Sequence, residues 1–410
     1  MKVFFRTIHL YLSLIAGLII FISCLTGTIL VFEEEIEQTI HKDRYFAAIG
    51  DVRLPIDLLV DKALGSTPKA KLASVKAYSD EARTVEISIT VPDKKNKKET
   101  DKKANTQPSK EIKPEGKTGE KKGGKPEGRK PTLTVYVNPY TGEVIDVVNR
   151  RESFFFTVES IHRWLLAGKD SFGQTIIGIS TFFFLFILIT GLILWWPKTK
   201  NILNQRLKIK WSGGWKRLNH DLHIVTGFYL AIFLIVISLT GLVMAFNWMN
   251  KGIFTLTGSK MENPEPPSSI YQANIKPLPV SAIYESVAPI KNASYYAVRM
   301  PKDSAAVYTV NVLPENVIET ASDTYYIDQY SGKIVGSFIY SAKNKGQKIR
   351  SIVKPLHTGS IYGLPTKVIS FIVCLLSLAF PVTGVIMWLN RIKGEKKKIK
   401  KDKSSVIETV

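Results

Sequence analysis

Cysteine is nearly missing. The 410 residues hold two, Cys24 and Cys374, each inside a long apolar run. That excludes a disulfide framework, a CxxC pair, zinc-finger spacing and the CxxCH signal for covalently attached haem. GxGxxG and Walker sequences are also missing, so the chain carries no nucleotide site of its own, and neither HExxH nor a Ser-His-Asp pattern points to a hydrolase. Aromatic residues are absent from Asp93 to Pro131, a Lys, Glu, Gly and Pro-rich tract that cannot bury enough apolar surface to fold and reads as a disordered hairpin insertion. Acid is absent from the link Pro197 to Asn219, which holds Lys198, Lys200, Arg206, Lys208, Lys210, Lys216 and Arg217.

What is present is apolar length. Runs at Leu10–Phe32, Thr175–Trp196, Ile224–Trp248 and Val368–Leu389 each approach the roughly 20 residues that cross a bilayer as a helix. The first is long for a secretory signal and lacks a nearby cleavage site, so it reads as an uncleaved anchor. Lys and Arg crowd the N-terminus, the link and the C-terminal tail, which places all three in the cytoplasm. The expected order is span 8–32, outer segment 33–158 with the insertion 93–131, span 174–196, basic loop 197–219, span 222–248, outer segment 249–355, span 366–389 and basic tail 390–410. The net charge of +21 is partly this topology signal, and a basic tail suits anionic lipid; clusters that hug spans do not suit a nucleic-acid surface.

The chain reads as a duplication. His9 precedes Gly27 by 18 residues and His223 precedes Gly241 by 18, each Gly following a Thr. Thr190-Gly191 precedes Trp195 as Thr383-Gly384 precedes Trp388. Leu54-Pro55-Ile56 parallels Leu278-Pro279-Val280, each opening a short helix with Pro in its first turn. Tyr140–Val144 parallels Tyr330–Ile334, each a turn between strand-like runs. Span, outer module, span thus occurs twice in one orientation, with an implied axis along the membrane normal. Each outer module reads as α+β. The first has a helix at 55–64 and strands at 72–78, 84–91 and 132–137; the second has a helix at 279–287 and strands at 295–299, 307–312 and 325–328.

Histidine is scarce, with six in all, yet four flank the spans. His9 and His223 fall on the inner side, and His162 and His357 on the outer. Ionisable groups at such positions are costly and mark function. Helical geometry puts Gly191 and Gly384 level with the inner pair and Gly27 and Gly241 level with the outer pair, where a missing Cβ leaves room for a flat macrocycle. Packing glycines and hydrogen-bonded interfacial histidines are the plain alternatives, and zinc or copper are other occupants of paired imidazoles. Two ligands per layer without carboxylate or thiolate suit a six-coordinate haem. His220, three residues before His223, is a possible substitute ligand or propionate contact; His41 has no partner. Trp195, Trp196, Trp388 and Trp248 read as interfacial anchors, and Trp211 and Trp215 as headgroup or partner contacts.

At Ile8-His9-Leu10 with Thr26-Gly27, Ile161–Leu166 with Thr190–Pro197, Asp221-Leu222-His223 with Thr240-Gly241, and Leu356-His357 with Thr383-Gly384, the chain resembles the PepSY-associated transmembrane family of bacterial inner-membrane proteins. The resemblance covers nearly the whole chain except the Lys-rich insertion. It implies a membrane all-α four-helix bundle of two parallel repeats with two periplasmic α+β PepSY-like domains. Family members are linked to iron uptake, and some are ferric-siderophore reductases with two non-covalent b-type haems. That implies ligation by His9, His162, His223 and His357, no catalytic residue beyond the haem, and electron flow from an unknown cytoplasmic or quinol donor to a periplasmic ferric siderophore. Arg163 and Trp164 are candidate residues for the outer cavity or a propionate. The competing expectations are a non-redox PepSY protein that restrains a periplasmic protease or transporter, and a quinol-linked carrier to another periplasmic acceptor.

Overall fold

The computed structural model describes residues 1–92, 132–271, 275–290 and 292–407. The Lys-rich insertion 93–131 lies outside the described residues. The helices are α1 (Lys2–Leu30), α2 (Glu33–Ile40), α3 (Lys42–Tyr45), α4 (Ile56–Gly65), α5 (Phe154–Trp164), α6 (Phe172–Trp195), α7 (Lys200–Arg206), α8 (Trp215–Ala245), α9 (Asn247–Leu256), α10 (Val280–Val287), α11 (Lys345–Thr358), α12 (Leu364–Ser377) and α13 (Ala379–Ile407). The strands are β1 (Lys71–Tyr78), β2 (Val85–Thr90), β3 (Thr132–Val137), β4 (Val144–Val148), β5 (Ala293–Arg299), β6 (Tyr308–Pro314), β7 (Asp323–Ile327) and β8 (Ile334–Phe338).

Four helical stretches are long and apolar enough to cross a membrane: α1, α6, α8 and the continuous path Leu364–Glu395 through α12 and α13. The last bends after Ser377, where Pro381 cannot donate to the carbonyl four residues back. Leu378 N–H bonds to Leu375 O instead, tightening the turn. In packing, α1 lies along α6, α6 along α8, and α8 along the α12–α13 path, which returns to α1. Each span is therefore flanked by two others. The third span ends at Ala245 and not at Trp248. Phe246 is extended, and Trp248 belongs to α9; hydropathy alone does not register that break. The basic tail continues α13 as helix to Ile407.

The two expected outer modules form one sheet. Its eight strands run β4-β3-β2-β1-β5-β6-β7-β8, all neighbours antiparallel, with the seam between β1 and β5. Val75 pairs with Val298 across that seam, so backbone hydrogen bonds cross it like any other pair of strands. The hydrophobic core is shared too. Leu59 and Ala63 of α4 join Ile283 and Val287 of α10 over Ile87, Val135, Val298 and Val310. The alternation in Val85–Thr90, buried at every second residue, gives β2 one face toward this core. Ile87 is fully buried, so Ile87→Ala should lower stability by about 2–5 kcal/mol, seen as an earlier thermal melt of the strand signal.

Matched contacts fix the two helix starts. Pro55 and Pro279 occupy the capping position just ahead of α4 and α10, not the first turn. Leu54 N–H bonds Pro139 O and Leu278 N–H bonds Gln329 O, both at 2.8 Å. Asn138 Oδ1 accepts from Tyr140 and Thr141 N–H, and Asp328 Oδ1 accepts from Tyr330 and Ser331 N–H. Gly142 and Gly332 follow at φ 71° and 68°, a left-handed turn that favours glycine. Burial works against the Asp328 carboxylate, but its hydrogen bonds to Ser331, Ile270 and Tyr330 hold it below the usual carboxylate range.

Candidate functional site: two histidine layers

His162 and His357 do not sit on the spans. They sit near the ends of α5 and α11, short amphipathic helices that pack back on α1 and α8 respectively. Ser153 caps α5 by accepting from Phe156 N–H at 3.1 Å. Asn344 and Gln347 form a reciprocal capping box on α11. Leu165 and Gly359 end the two helices in left-handed conformations, reversing the chain toward the following span.

The four imidazoles meet in pairs. The His9 and His223 ring centres are 6.4 Å apart, and those of His162 and His357 are 6.2 Å apart. Pairing therefore joins the first half of the chain to the second in both layers. Seventeen residues separate His9 from Thr26 on α1 and His223 from Thr240 on α8, and Thr26 and Thr240 lie at the other layer. At 1.5 Å per residue the layers are about 25 Å apart along the helices.

Each ring rests on a Thr-Gly step of another helix. His9 Nδ1 lies 3.1 Å from Thr190 Oγ1, His162 Nδ1 2.9 Å from Thr26 Oγ1, His223 Nδ1 2.8 Å from Thr383 Oγ1, and His357 Nδ1 3.1 Å from Thr240 Oγ1. Every one of these hydroxyls donates its proton to the carbonyl four residues back, Phe186, Ile22, Ala379 and Val236 in the same order, at 2.6–2.8 Å. The hydroxyl thus has only lone pairs to offer, and Nδ1 must be the donor. For three rings a backbone carbonyl confirms it: Ile187 O beside His9, Ser23 O beside His162 and Ile237 O beside His357, at 3.0–3.1 Å. A carbonyl oxygen only accepts. The tautomer is therefore Nδ1–H, and Nε2 carries the free lone pair that binds metals.

The glycine of each step makes the seat. A Cβ at Gly27, Gly191 or Gly241 would stand 3.3, 3.3 or 3.1 Å from Cε1 of His162, His9 or His357; at Gly384 it would stand 3.5 Å from Cε1 of His223. Each of these glycines lies against the edge of an imidazole. Burial, the neighbouring His357 and Arg163 push the His162 imidazole down to about 4 against the Ser23 carbonyl. Burial and Arg163 lower His357 as well, so both outer rings stay neutral near pH 7.

The remaining candidates stand apart. His220 is half-exposed with Nδ1 3.3 Å from Asp221 Oδ1, outside the His9–His223 pair. Arg163 bonds Glu159 at 2.7 Å and lies 4.6 Å from the Trp164 ring centre, a pairing on the surface of α5. Among the described residues no group of three or more His, Cys, Asp or Glu gathers, so each layer offers two imidazoles to whatever it holds. Sequence reasoning used the four threonines as landmarks and gave them no role. The signal was there, because the same Thr-Gly pair recurs in all four spans.

Comparison with curated proteins finds no match. The model of the family described as PepSY-associated TM region matches residues 6–391, nearly the whole chain. Four membrane-crossing helices accord with that match, and the chain belongs to the PepSY-associated TM region family.

Proposed function

We propose that the protein is a dihaem membrane reductase that carries electrons from the cytoplasmic side to a ferric siderophore in the periplasm of a bacterium. The observation that carries this reading is the spacing of the paired imidazoles. Two imidazoles this close could share one metal between them, since a metal–nitrogen bond is about 2 Å. The two layers have 6.4 and 6.2 Å. Tied Nδ1 atoms leave Nε2 as the ligating atom at all four histidines, as metal-binding imidazoles require. Trp195, one turn beyond Gly191, has an indole N–H that is buried without an acceptor among the described residues, and it offers a donor to a cofactor carboxylate.

In this reading His9 with His223, and His162 with His357, hold one b-type haem each. When bound, the haems supply one-electron redox chemistry. The chain's own residues do the rest. The Thr hydroxyls fix the tautomer, the glycines seat the rings, and the apolar side chains between the layers, among them Phe184, Leu188, Leu234 and Phe380, exclude water. Reduction outside releases iron because Fe(II) is a weaker partner than Fe(III) for hard oxygen donors. The basic link and tail favour cytoplasmic ends, which makes His9 and His223 the inner layer and the eight-stranded sheet periplasmic. Palindromic strand order and matched turns support two copies of one PepSY-like unit about an axis along the membrane normal.

Purified protein reconstituted with haem should show a dithionite-reduced b-type band and about two haems per chain. His9→Ala with His223→Ala should remove one haem and leave the other. A folded chain that stays colourless after haem supplementation would sink the reading and favour an anchoring role for the outer sheet.

A further inference from the structure

Beside the inner layer the structure carries an open apolar cleft that the redox reading leaves unused. Its volume is about 580 Å³, within the range of small-molecule sites. One wall is the link, through Leu207, Ile209 and Trp211; the other is α8, through Val225 and Tyr229, with Leu376 of α12 closing the base. Thr226, which also lines the cleft, is three residues after His223 on the same side of α8, and Leu376 lies four residues before Phe380, whose ring centre is 5.7 Å from that of His223. The cleft therefore lies about one helical turn from the layer that takes up electrons first in the redox reading. Tyr229 ties the walls together by donating to Leu207 O at 3.2 Å.

We propose that this cleft is the electron-donor site and that its ligand is an isoprenoid quinol drawn from the bilayer. Three features select that class. Leu376 and Tyr229, on two membrane-spanning helices, are 43% and 52% exposed, and Trp211, in the link, is 72% exposed, so the cleft runs from the surface of the spans to the link. Two aromatic side chains, Trp211 and Tyr229, line apolar walls suited to a flat ring with a hydrocarbon tail. Lys208, at the same wall, supplies a cation at the level where the basic link meets solvent, able to face a ring oxygen. Neither a GxGxxG nor a Walker sequence is present to cradle the phosphates of a nicotinamide nucleotide.

The inference rests on the redox reading, and the electrons balance within it. One quinol loses two electrons and two protons to become quinone. The electrons leave singly through the His9–His223 layer and reduce two ferric chelates to the ferrous state outside. Both protons are released into water at the link, on the cytoplasmic side. An acyl chain of a phospholipid is the competing occupant.

The test uses the full chain in nanodiscs with an azido-substituted quinone of short tail. Light should crosslink it to peptides within 207–230 or around Leu376. Excess decylubiquinol should abolish labelling, and excess phosphatidylglycerol should not. Leu376→Trp and, separately, Ile209→Trp fill the cleft. Each should cut labelling at least tenfold and slow haem reduction by decylubiquinol at least tenfold, while the dithionite-reduced spectrum is unchanged. Labelling elsewhere, competition by phosphatidylglycerol, or both filled variants labelling like the parent would overturn the proposal. Labelling is read without haem, and haem content is read without quinone, so failure of the cleft and failure of the dihaem reading are told apart.

Discussion

Gly241→Leu should empty the outer layer and spare the inner one. A single Cβ at Gly241 already stands 3.1 Å from His357 Cε1 and 3.9 Å from Thr181 Cγ2, and a leucine adds three carbons beyond it. The ring cannot retreat, because its Nδ1–H is held by Thr240 and Ile237 O on the same helix step. The imidazole must leave the seat, and Nε2 goes with it. Haem content should fall from about two per chain to about one, with loss of ferric-chelate reduction. Gly384→Ala is the control. Its Cβ would meet His223 Cε1 at 3.5 Å, an ordinary contact, so both haems should remain. A Gly241→Leu chain that keeps both would show that His357 does not ligate from this seat.

Thr240→Val should weaken the outer layer without emptying it. Valine matches threonine in shape and removes the oxygen that accepts the His357 proton. Ile237 O still accepts at 3.0 Å, so the tautomer survives, but the ring loses half of its support. Losing such an outer partner lowers metal affinity about 10- to 100-fold. Transfer of haem to a scavenging apoprotein should accelerate by that factor, and the midpoint potential of one haem should move. Thr240→Ser keeps the oxygen and should restore both readings. If valine and serine behave alike, the hydroxyl packs and does not position. The same substitution at Thr383 should act more strongly, since His223 has only the Thr383 hydroxyl as an Nδ1 acceptor among the described residues.

Much of this arrangement is legible in the sequence. Apolar length gave the spans, because lipid demands it and nothing else in a chain of this kind does. The 18-residue interval between His9 and Gly27, repeated at His223 and Gly241, brought out the pairing of levels, since helical rise turns sequence distance into depth. Local signals also marked most strands to within two residues. Other features were hidden for physical reasons. The β1–β5 seam joins Tyr78 to Tyr295 across more than 200 residues, and no local pattern reports so distant a partner. The helix under His357 contains Pro355, which argues against a helix, and the Asn344–Gln347 capping box that starts it was not read from the sequence. The threonines were visible as letters; their lone pairs became meaningful only when each hydroxyl was seen to spend its proton on its own helix.

The depth between the layers has an energetic consequence. About 25 Å of low-dielectric interior spans most of a hydrocarbon core of about 30 Å. If the layers hold haem as proposed, an electron moving outward between them crosses most of the resting voltage. With the cell interior negative, that voltage drives the transfer, by up to about 2.3 kcal/mol for each 100 mV. On the dihaem reading, an energised cell would pull electrons through this chain faster than a depolarised one at equal donor supply, and adding an ionophore to intact cells would slow delivery.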